Sequence, residues 1–92
     1  MGDVFRDRQP PYSEDAEVAV LSAMLMDQDA ILRALETLDD SMFYAERNRR
    51  VFRAMAAVAQ QGSVVDPLTL AEELGRRGEL DAIGGKEYIG FL

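Results

Sequence analysis

The residues of this chain best placed to do chemistry lie in its last third, in VDPLTLAEELGRRGELDAIGG (65–85) and the adjacent Lys86. A glycine pair followed by lysine could cradle a phosphate, because a glycine-rich loop lets backbone N–H groups approach it closely. The full phosphate loop, however, needs two glycines at fixed spacing, then Lys, then a Ser or Thr that binds Mg²⁺. Glu87 stands where that hydroxyl is required. The segment therefore does not predict a nucleotide site.

Catalysis by other routes lacks its usual residues. The 92 residues include no His and no Cys, which removes the commonest general base, the commonest metal ligand and the thiolate nucleophile together. Glu72 and Glu73 are adjacent carboxylates, but neighbours on a helix point about 100° apart, so they are more typical of a solvated surface. We expect no catalytic residue, no cofactor and no metal in this chain.

The same stretch could instead form a helix-turn-helix that binds DNA, since its helices and short loop have about the right lengths. The second helix would offer one base, Lys86, beside Glu87, and is otherwise apolar. A helix that must contact base edges and phosphates is rarely so apolar. A net charge of −7 also disfavours binding to a phosphate backbone. A small helix-turn-helix DNA-binding regulator remains the alternative function.

Charge is unevenly distributed along the chain. Up to Asp40 ten acids face three arginines, and from Ser41 onward seven acids face seven bases, which together give the net −7. The composition, 48% hydrophobic and 29% charged, is typical of a soluble globular domain. No apolar run approaches the roughly 20 residues that span a bilayer, and MGDVFRDRQPPY lacks the apolar core of a signal peptide. We therefore expect a cytoplasmic protein with no membrane partner.

Capping signals divide the chain into about five to six short helices. Pro10 and Pro11 predict an extended segment over 1–12, and Ser13 is a good N-cap for the first helix. Residues 42–44 resemble a short buried turn. The fold class is therefore all-α, a small orthogonal bundle over 13–92. The helices are expected at about 14–26, 28–38, 45–61, 67–77 and from Lys86 onward.

The spacing of apolar residues predicts the core. The third helix is the best specified, and Asn48 lies in the middle of its apolar stripe, so a buried amide there needs hydrogen-bond partners. The predicted core residues are Val20, Leu21, Met24, Phe43, Val51, Phe52, Met55, Val58, Leu70, Leu74, Leu80 and Ile83.

Three surfaces could receive a partner. The first helix is apolar nearly all round, which indicates either the centre of a core or a helix shared between core and interface. The third helix carries arginines opposite its apolar stripe. They could form a solvated face with a Glu46–Arg50 ion pair, or a patch that binds an acidic partner. The last helix, Tyr88–Leu92, is apolar up to the final residue. The candidate partner-docking residues are Arg49, Arg50, Arg53, Val18, Met26, Tyr88 and Phe91.

Three blocks, in this order and spacing, resemble the N-terminal domain of bacterial replicative DNA helicases of the DnaB type: PPYSEDAEVAVL, MFYAERNRRVF and GSVVDPLTLAEELGRRGELDAIGGKEYIGFL. The resemblance covers about residues 9–92. Tyr12 and Asn48 stand where the family often has His, and Ser22 where it often has Gly. Positions that match the family include Pro10, Pro11, Ser13, Ala16, Glu17, Val20, Leu21, Phe43, Tyr44, Phe52, Gly62, Asp66, Thr69, Leu70, Leu74, Gly78, Leu80, Gly84 and Gly85.

The resemblance implies a function that the residue pattern alone does not. In that family, ATP and Mg²⁺ are used by a separate C-terminal RecA-like motor domain, which also contacts DNA and is absent here. The N-terminal domains form a collar above the hexameric motor, pair as a trimer of dimers, and contact the primase and the helicase loader. Much of that contact uses a helical hairpin that comes after the globular part, and the chain is expected to stop before it. The implied role is an assembly and docking domain of a hexameric ATP-dependent replicative helicase.

Overall fold

The computed structural model describes residues 13–92, and the extended segment expected over 1–12 lies outside that range. Within residues 13–92 the chain forms five α-helices, two 3-10 turns and no β-strand, which confirms the all-α prediction. The 3-10 turns cover Asp40–Met42 and Asp81–Ile83. The helices are α1 (Glu14–Met26), α2 (Gln28–Thr37), α3 (Glu46–Gln60), α4 (Pro67–Arg76) and α5 (Gly85–Phe91).

Side-chain caps mark the beginnings of α1 and α4. The Ser13 hydroxyl accepts the Ala16 N–H at 3.2 Å and starts α1. At α4 the Asp66 carboxylate accepts the Thr69 N–H at 2.8 Å, while the Thr69 hydroxyl accepts the Asp66 N–H at 3.0 Å. Such reciprocal capping satisfies two N–H groups that have no partner inside the helix. Pro67 then occupies the first helical position, where its missing N–H costs nothing.

Two glycines with left-handed backbone angles set the chain reversals that bring the helices together. Gly62, with φ of 80°, comes after the last turn of α3, where a residue with a side chain is disfavoured. Gly84, with φ of 107°, leads into α5. A Cβ at Gly84 would also lie 3.2 Å from the Tyr88 Cβ. Glycine therefore serves both the turn and the close approach of α5.

Helix α3 is the centre of the core and packs against α1, α4 and both 3-10 turns. The Phe43 and Phe52 rings meet with centroids 5.1 Å apart, and both side chains are buried. Among the predicted core residues, Leu80 is half-buried against this cluster. The others that are buried are Leu21, Met24, Phe43, Val51, Phe52, Met55, Val58, Leu70, Leu74 and Ile83.

Two expectations about burial are wrong. Val20, predicted to lie in the core, is 37% exposed, because α1 turns the next residue, Leu21, inward and Val20 therefore points sideways. The buried turn over 42–44 holds only for Phe43, since Met42 and Tyr44 are 58% and 70% exposed. The backbone is extended at Phe43, and successive side chains of an extended chain point to opposite sides.

Candidate docking surfaces

Arg49, one of the candidate docking residues on α3, is bound into the loop that precedes this helix. Its Nη1 donates to the main-chain carbonyls of Phe43 and Tyr44 at 2.9 and 3.0 Å. Its Nε and Nη2 donate to Glu46 at 3.1 and 2.6 Å. Hydrogen bonds from Arg49, and then from Arg50, hold the pKa of Glu46 below its usual value. The donors of the planar guanidinium are thus bonded to acceptors of its own chain.

The other two arginines of this face are also paired. Arg50 donates to Glu46 at 3.0 Å and lies 3.6 Å from Glu79, so the Glu46–Arg50 ion pair is confirmed. The Arg53 Nε donates to Asp40, and this hydrogen bond lowers the pKa of the Asp40 carboxyl. Both acids therefore stay charged near neutral pH. The arginine face holds its charges in internal pairs, which does not favour it as a patch for an acidic partner.

A buried chain of polar side chains joins α1, α3 and α5. Asn48 is fully buried, and its Nδ2 donates to Glu17 Oε1 at 2.7 Å. Its Oδ1 accepts the hydrogen bond of the Tyr88 hydroxyl. The Glu17 carboxylate also accepts the N–H groups of Tyr44 and Ala45. The amide thus has a partner at each end, which confirms that a buried Asn48 needs such partners.

Tyr88 is part of the core and not of a docking surface, so its assignment as a docking residue is wrong. The side chain is only 7% exposed, because α5 turns Tyr88 and Ile89 inward. The Arg47 guanidinium carbon lies 4.3 Å from the centroid of the Tyr88 ring. Burial raises the pKa of Tyr88, and the positive charge of Arg47 opposes this. The hydroxyl is therefore a neutral donor to Asn48.

The side of α1 that points away from the core is exposed and apolar. Five residues at helical spacing form this surface, which we call the α1 outer face: Ala16, Ala19, Val20, Ala23 and Met26. Met26 is 86% exposed. Val18, the other α1 residue proposed for docking, lies partly buried against the core.

An open groove of about 150 Å³ runs beside the α1 outer face. The exposed side chains of Val20 and Met42 and the buried Phe43 all line it. The lining is almost entirely apolar and consists of Ala16, Glu17, Val20, Leu38, Met42 and Phe43. The groove therefore widens the apolar surface from α1 onto the 3-10 turn.

A second apolar groove, of about 260 Å³, lies between α4 and α5. Leu68 on its edge is 67% exposed. Phe91, the docking candidate near the end of α5, is 70% exposed and lies 6.1 Å from the Tyr88 ring. The groove is lined by Pro67, Leu68, Ala71, Lys86, Ile89 and Gly90.

The described residues do not assemble a metal centre or a DNA-reading helix. Between residues 13 and 92 no three His, Cys, Asp or Glu side chains converge on a possible metal site. No helix in this range is long and apolar enough to cross a bilayer. Helix α5 has seven residues, of which Tyr88 and Ile89 are buried, and Lys86 is its one cation. A recognition helix would need to present these side chains outward.

Comparison with known proteins decides the family. The family model described as "DnaB-like helicase N terminal domain" matches residues 9–92. This chain belongs to that family. A crystal structure of the N-terminal domain of DnaB helicase from Mycobacterium tuberculosis superimposes with a TM-score of 0.85 and 40% identity, covering 90% of this chain and 60% of the other.

Two curated relatives are named replicative DNA helicase DnaB. The protein from Rhodothermus marinus is 46% identical over 85 residues, which are 92% of this chain and 9% of that protein. The protein from Geobacillus stearothermophilus is 39% identical over 92 residues, which are 100% of this chain and 20% of that protein. This DnaB-type domain thus spans a fifth or less of the length of these two relatives.

Glu17 is the residue of this DnaB-type domain whose role sequence reasoning missed. It connects α1 to the loop before α3 and to Asn48. One signal in the sequence could have found it. Glu17, Leu21 and Met24 lie four and three residues apart, so Glu17 belongs to the buried stripe of α1. A carboxylate on a buried stripe needs donors, as the buried Asn48 needs partners.

Proposed function

We propose that this chain is the N-terminal assembly and docking domain of a hexameric, ATP-dependent replicative DNA helicase. In this role it contributes to the N-terminal collar and contacts the primase and the helicase loader during DNA replication. One observation carries the proposal: a chain of the DnaB-like N-terminal domain family keeps an apolar face of α1 exposed, while the arginines Arg50 and Arg53 of α3 are paired with carboxylates of the same chain. Exposed contiguous apolar surface is characteristic of interaction sites.

Catalysis belongs to another part of the parent protein in this proposal. The chain has no His, no Cys and no phosphate loop, so it lacks the commonest general base and the loop that would hold the phosphates of a nucleotide. ATP and Mg²⁺ are bound, and DNA is translocated, by a separate C-terminal RecA-like domain. The two relatives are named replicative DNA helicases and are several times longer than this chain, which supports this division. The parent acts in the cytoplasm and needs no membrane.

The coding sequence beyond Leu92 and its product test the proposal. We expect a helical hairpin, a linker and a GxxxxGK[ST] loop, and we expect the full-length product to hydrolyse ATP, unwind DNA and bind the primase of the same organism. The matched control is the 92-residue chain, which should show no ATP turnover above background. A stop codon shortly after Leu92, or turnover by the chain alone, would contradict the proposal.

DNA binding separates the proposal from the helix-turn-helix alternative. With its net charge of −7, the 92-residue chain should bind single- and double-stranded DNA very weakly at physiological salt. A dissociation constant tighter than about 1 µM, beyond typical non-specific binding, would favour a DNA-binding regulator instead.

Sedimentation over a wide concentration range tests how the ring contacts are divided. The 92-residue chain should be monomeric in dilute solution and associate weakly at high concentration, while the full-length product should be a stable hexamer. A tight hexamer of the short chain at low micromolar concentration would mean that the globular part alone carries the ring contacts.

A further inference from the structure

We propose that the α1 outer face and its adjoining groove form a docking site for a basic amphipathic helix of a partner protein. The inference rests on the proposed docking function and deepens it, since it names one surface and the chemistry of its occupant. It depends on two independent features of the described residues: the apolar shape of this surface and the net negative charge of the segment that carries it.

The shape of the surface suits a helix. Ala16, Ala19 and Ala23 succeed one another along the exposed side of α1 with spacings of three and four residues. Their short side chains let a second helix approach to the lower end of the usual interaxial range of about 8–10 Å. Val20 and Met42, which are 37% and 58% exposed, line the groove beside this row. The groove can therefore accept larger apolar side chains of the incoming helix.

The segment that carries this surface is strongly acidic. Between Ser13 and Asp40 eight acidic residues face one base, Arg33, which gives a net charge of −7 for this segment. Some of these carboxylates are neutralised, as Glu14 is by Arg47 and Asp40 by Arg53. Asp15, Asp29 and Glu36 form no ion pair with any residue between 13 and 92.

Charge complementarity therefore selects the occupant. A second copy of this chain would place its own acidic segment against this one, and like charges brought together oppose association. A partner helix with apolar residues at i, i+3, i+4 and i+7, flanked by Lys and Arg, satisfies both features. Its apolar side packs on the α1 outer face, and its cations meet the negative charge of the segment that carries this face, beginning with Asp15 on α1 itself.

A pair of designed peptides tests the proposal on the 92-residue chain. The probe is a labelled helical peptide of about 18 residues with Leu at the helical stripe and Lys elsewhere, and its control replaces every Lys with Glu. Binding is measured by fluorescence anisotropy at physiological salt for the wild type, Ala19→Lys and Leu68→Lys. Both substitutions add one positive charge at an exposed helical position, and Leu68 lies on the other groove.

We expect the leucine–lysine peptide to bind the wild type and the leucine–glutamate peptide not to bind. Ala19→Lys should weaken binding by about tenfold or more, and Leu68→Lys by less than about twofold, because only Ala19 lies in the docking site. Circular dichroism should show both variants folded. Failure of this test would leave the ATP turnover and DNA unwinding of the full-length product untouched, so it is distinguishable from failure of the proposed function.

Four results would overturn the proposal. The first is equal weakening by both substitutions, which would indicate charge attraction without a site. The second is equal binding of the two peptides, or no binding of either. The third is a wild-type dimer at low micromolar concentration that Ala19→Lys dissociates, because the occupant would then be a second copy. The fourth is a gain of more than about tenfold in peptide affinity on deletion of residues 1–12, since the chain's own N-terminal segment would then be the occupant.

Discussion

Helices α1 and α3 are both rich in apolar residues, yet the described residues 13–92 pack against α3 from α1, α4 and both 3-10 turns and leave one side of α1 exposed. Helix α3 buries Val51 and Met55 completely, and the arginines on its opposite side are held by carboxylates of the same chain. Helix α1 buries Leu21 and Met24, but its opposite side exposes a row of apolar residues. The two helices therefore differ on the side that points away from the core. On α3 this side carries paired charges, and on α1 it is apolar and exposed, as expected of a surface that binds a partner.

The comparison predicts its largest effect at the centre of α3. Phe52→Ala should lower the free energy of unfolding by about 3–5 kcal/mol, because removing a buried ring leaves a cavity that a small core cannot fill. Phe52 is 4% exposed and packs on Phe43. The control on α1 is Val20→Ala, which should cost less than about 1 kcal/mol at a position that is 37% exposed. Urea denaturation that gave similar losses for both variants would erase the contrast between the helices.

The buried chain of polar side chains connects α3 to the inner side of α1, so its removal should also destabilise the domain. Asn48→Leu should cost about 1–3 kcal/mol, since it leaves the Glu17 carboxylate and the Tyr88 hydroxyl short of a partner. Tyr88→Phe should cost less, because it removes one hydrogen bond of this chain and leaves the other in place. The unfolding free energies of the two variants and the double variant measure this. A loss in Tyr88→Phe as large as that in Asn48→Leu would show that the Asn48–Glu17 bond contributes little.

The arginines on α3 should differ in how much each contributes to the free energy of unfolding. Arg49→Ala should lower the free energy of unfolding by about 1–2 kcal/mol, because the charged guanidinium donates hydrogen bonds to the carbonyls of Phe43 and Tyr44. Arg50→Ala is the matched control and should cost clearly less, since it contacts mainly the half-exposed Glu46. Thermal unfolding of the two variants checks this order. The reverse order would mean that α3 and the loop before it are not joined through Arg49.

Lowering the pH should remove the stabilisation that the ion pairs of the α3 arginine face give to the fold. It should not change the contribution of the α1 outer face, which is apolar. The pKa of Glu46 is lowered in the folded chain by Arg49 and Arg50. Its pairs therefore stabilise the fold above the ordinary Glu value of 4.5, and this contribution disappears as the pH falls through the lowered pKa. Glu46→Gln should give a smaller drop in melting temperature between pH 6 and pH 3 than the wild type. Ala19→Gln on α1 should keep the wild-type drop, and an unchanged drop in Glu46→Gln would contradict the pairing.

The boundaries of the helices could be predicted from the sequence because capping is local. Ser13 and the Asp66–Thr69 pair act within three residues of themselves, so the order of residues alone indicates where α1 and α4 begin. The all-α class is indicated by the same signals. The exposed surfaces were harder to predict, because whether a side chain is exposed or buried depends on contacts between residues that are far apart in the chain.

Tyr88 shows why such surfaces could not be predicted from the sequence. An apolar helix near the end of the chain is typical of an interface, but the hydroxyl of Tyr88 finds its partner 40 positions earlier, at Asn48. Val20 was misplaced for a related reason. Helix α1 is apolar on nearly every side, so apolar spacing alone fits both Val20 and Leu21, and it is the packing of α2 and α3 that leaves Leu21 buried and Val20 37% exposed. The ion pair between Arg53 and Asp40 likewise depends on the fold.

A lysine scan along α1 tests most directly the claim that this helix has a core side and a partner side. The measurement is the thermal unfolding midpoint of single variants of the 92-residue chain. Lysine at Ala19 or Ala23 should shift the midpoint by less than about 4 °C, because both positions are exposed. Exposed substitutions change the free energy of unfolding by about 0.5 kcal/mol or less, which is a shift of about 2–4 °C in a domain of this size. Lysine at Leu21 or Met24 should prevent folding, since it would bury an unpaired charge. If lysine at Ala19 and Ala23 unfolds the chain as lysine at Leu21 does, the outer side of α1 is covered by the chain itself and the account is wrong.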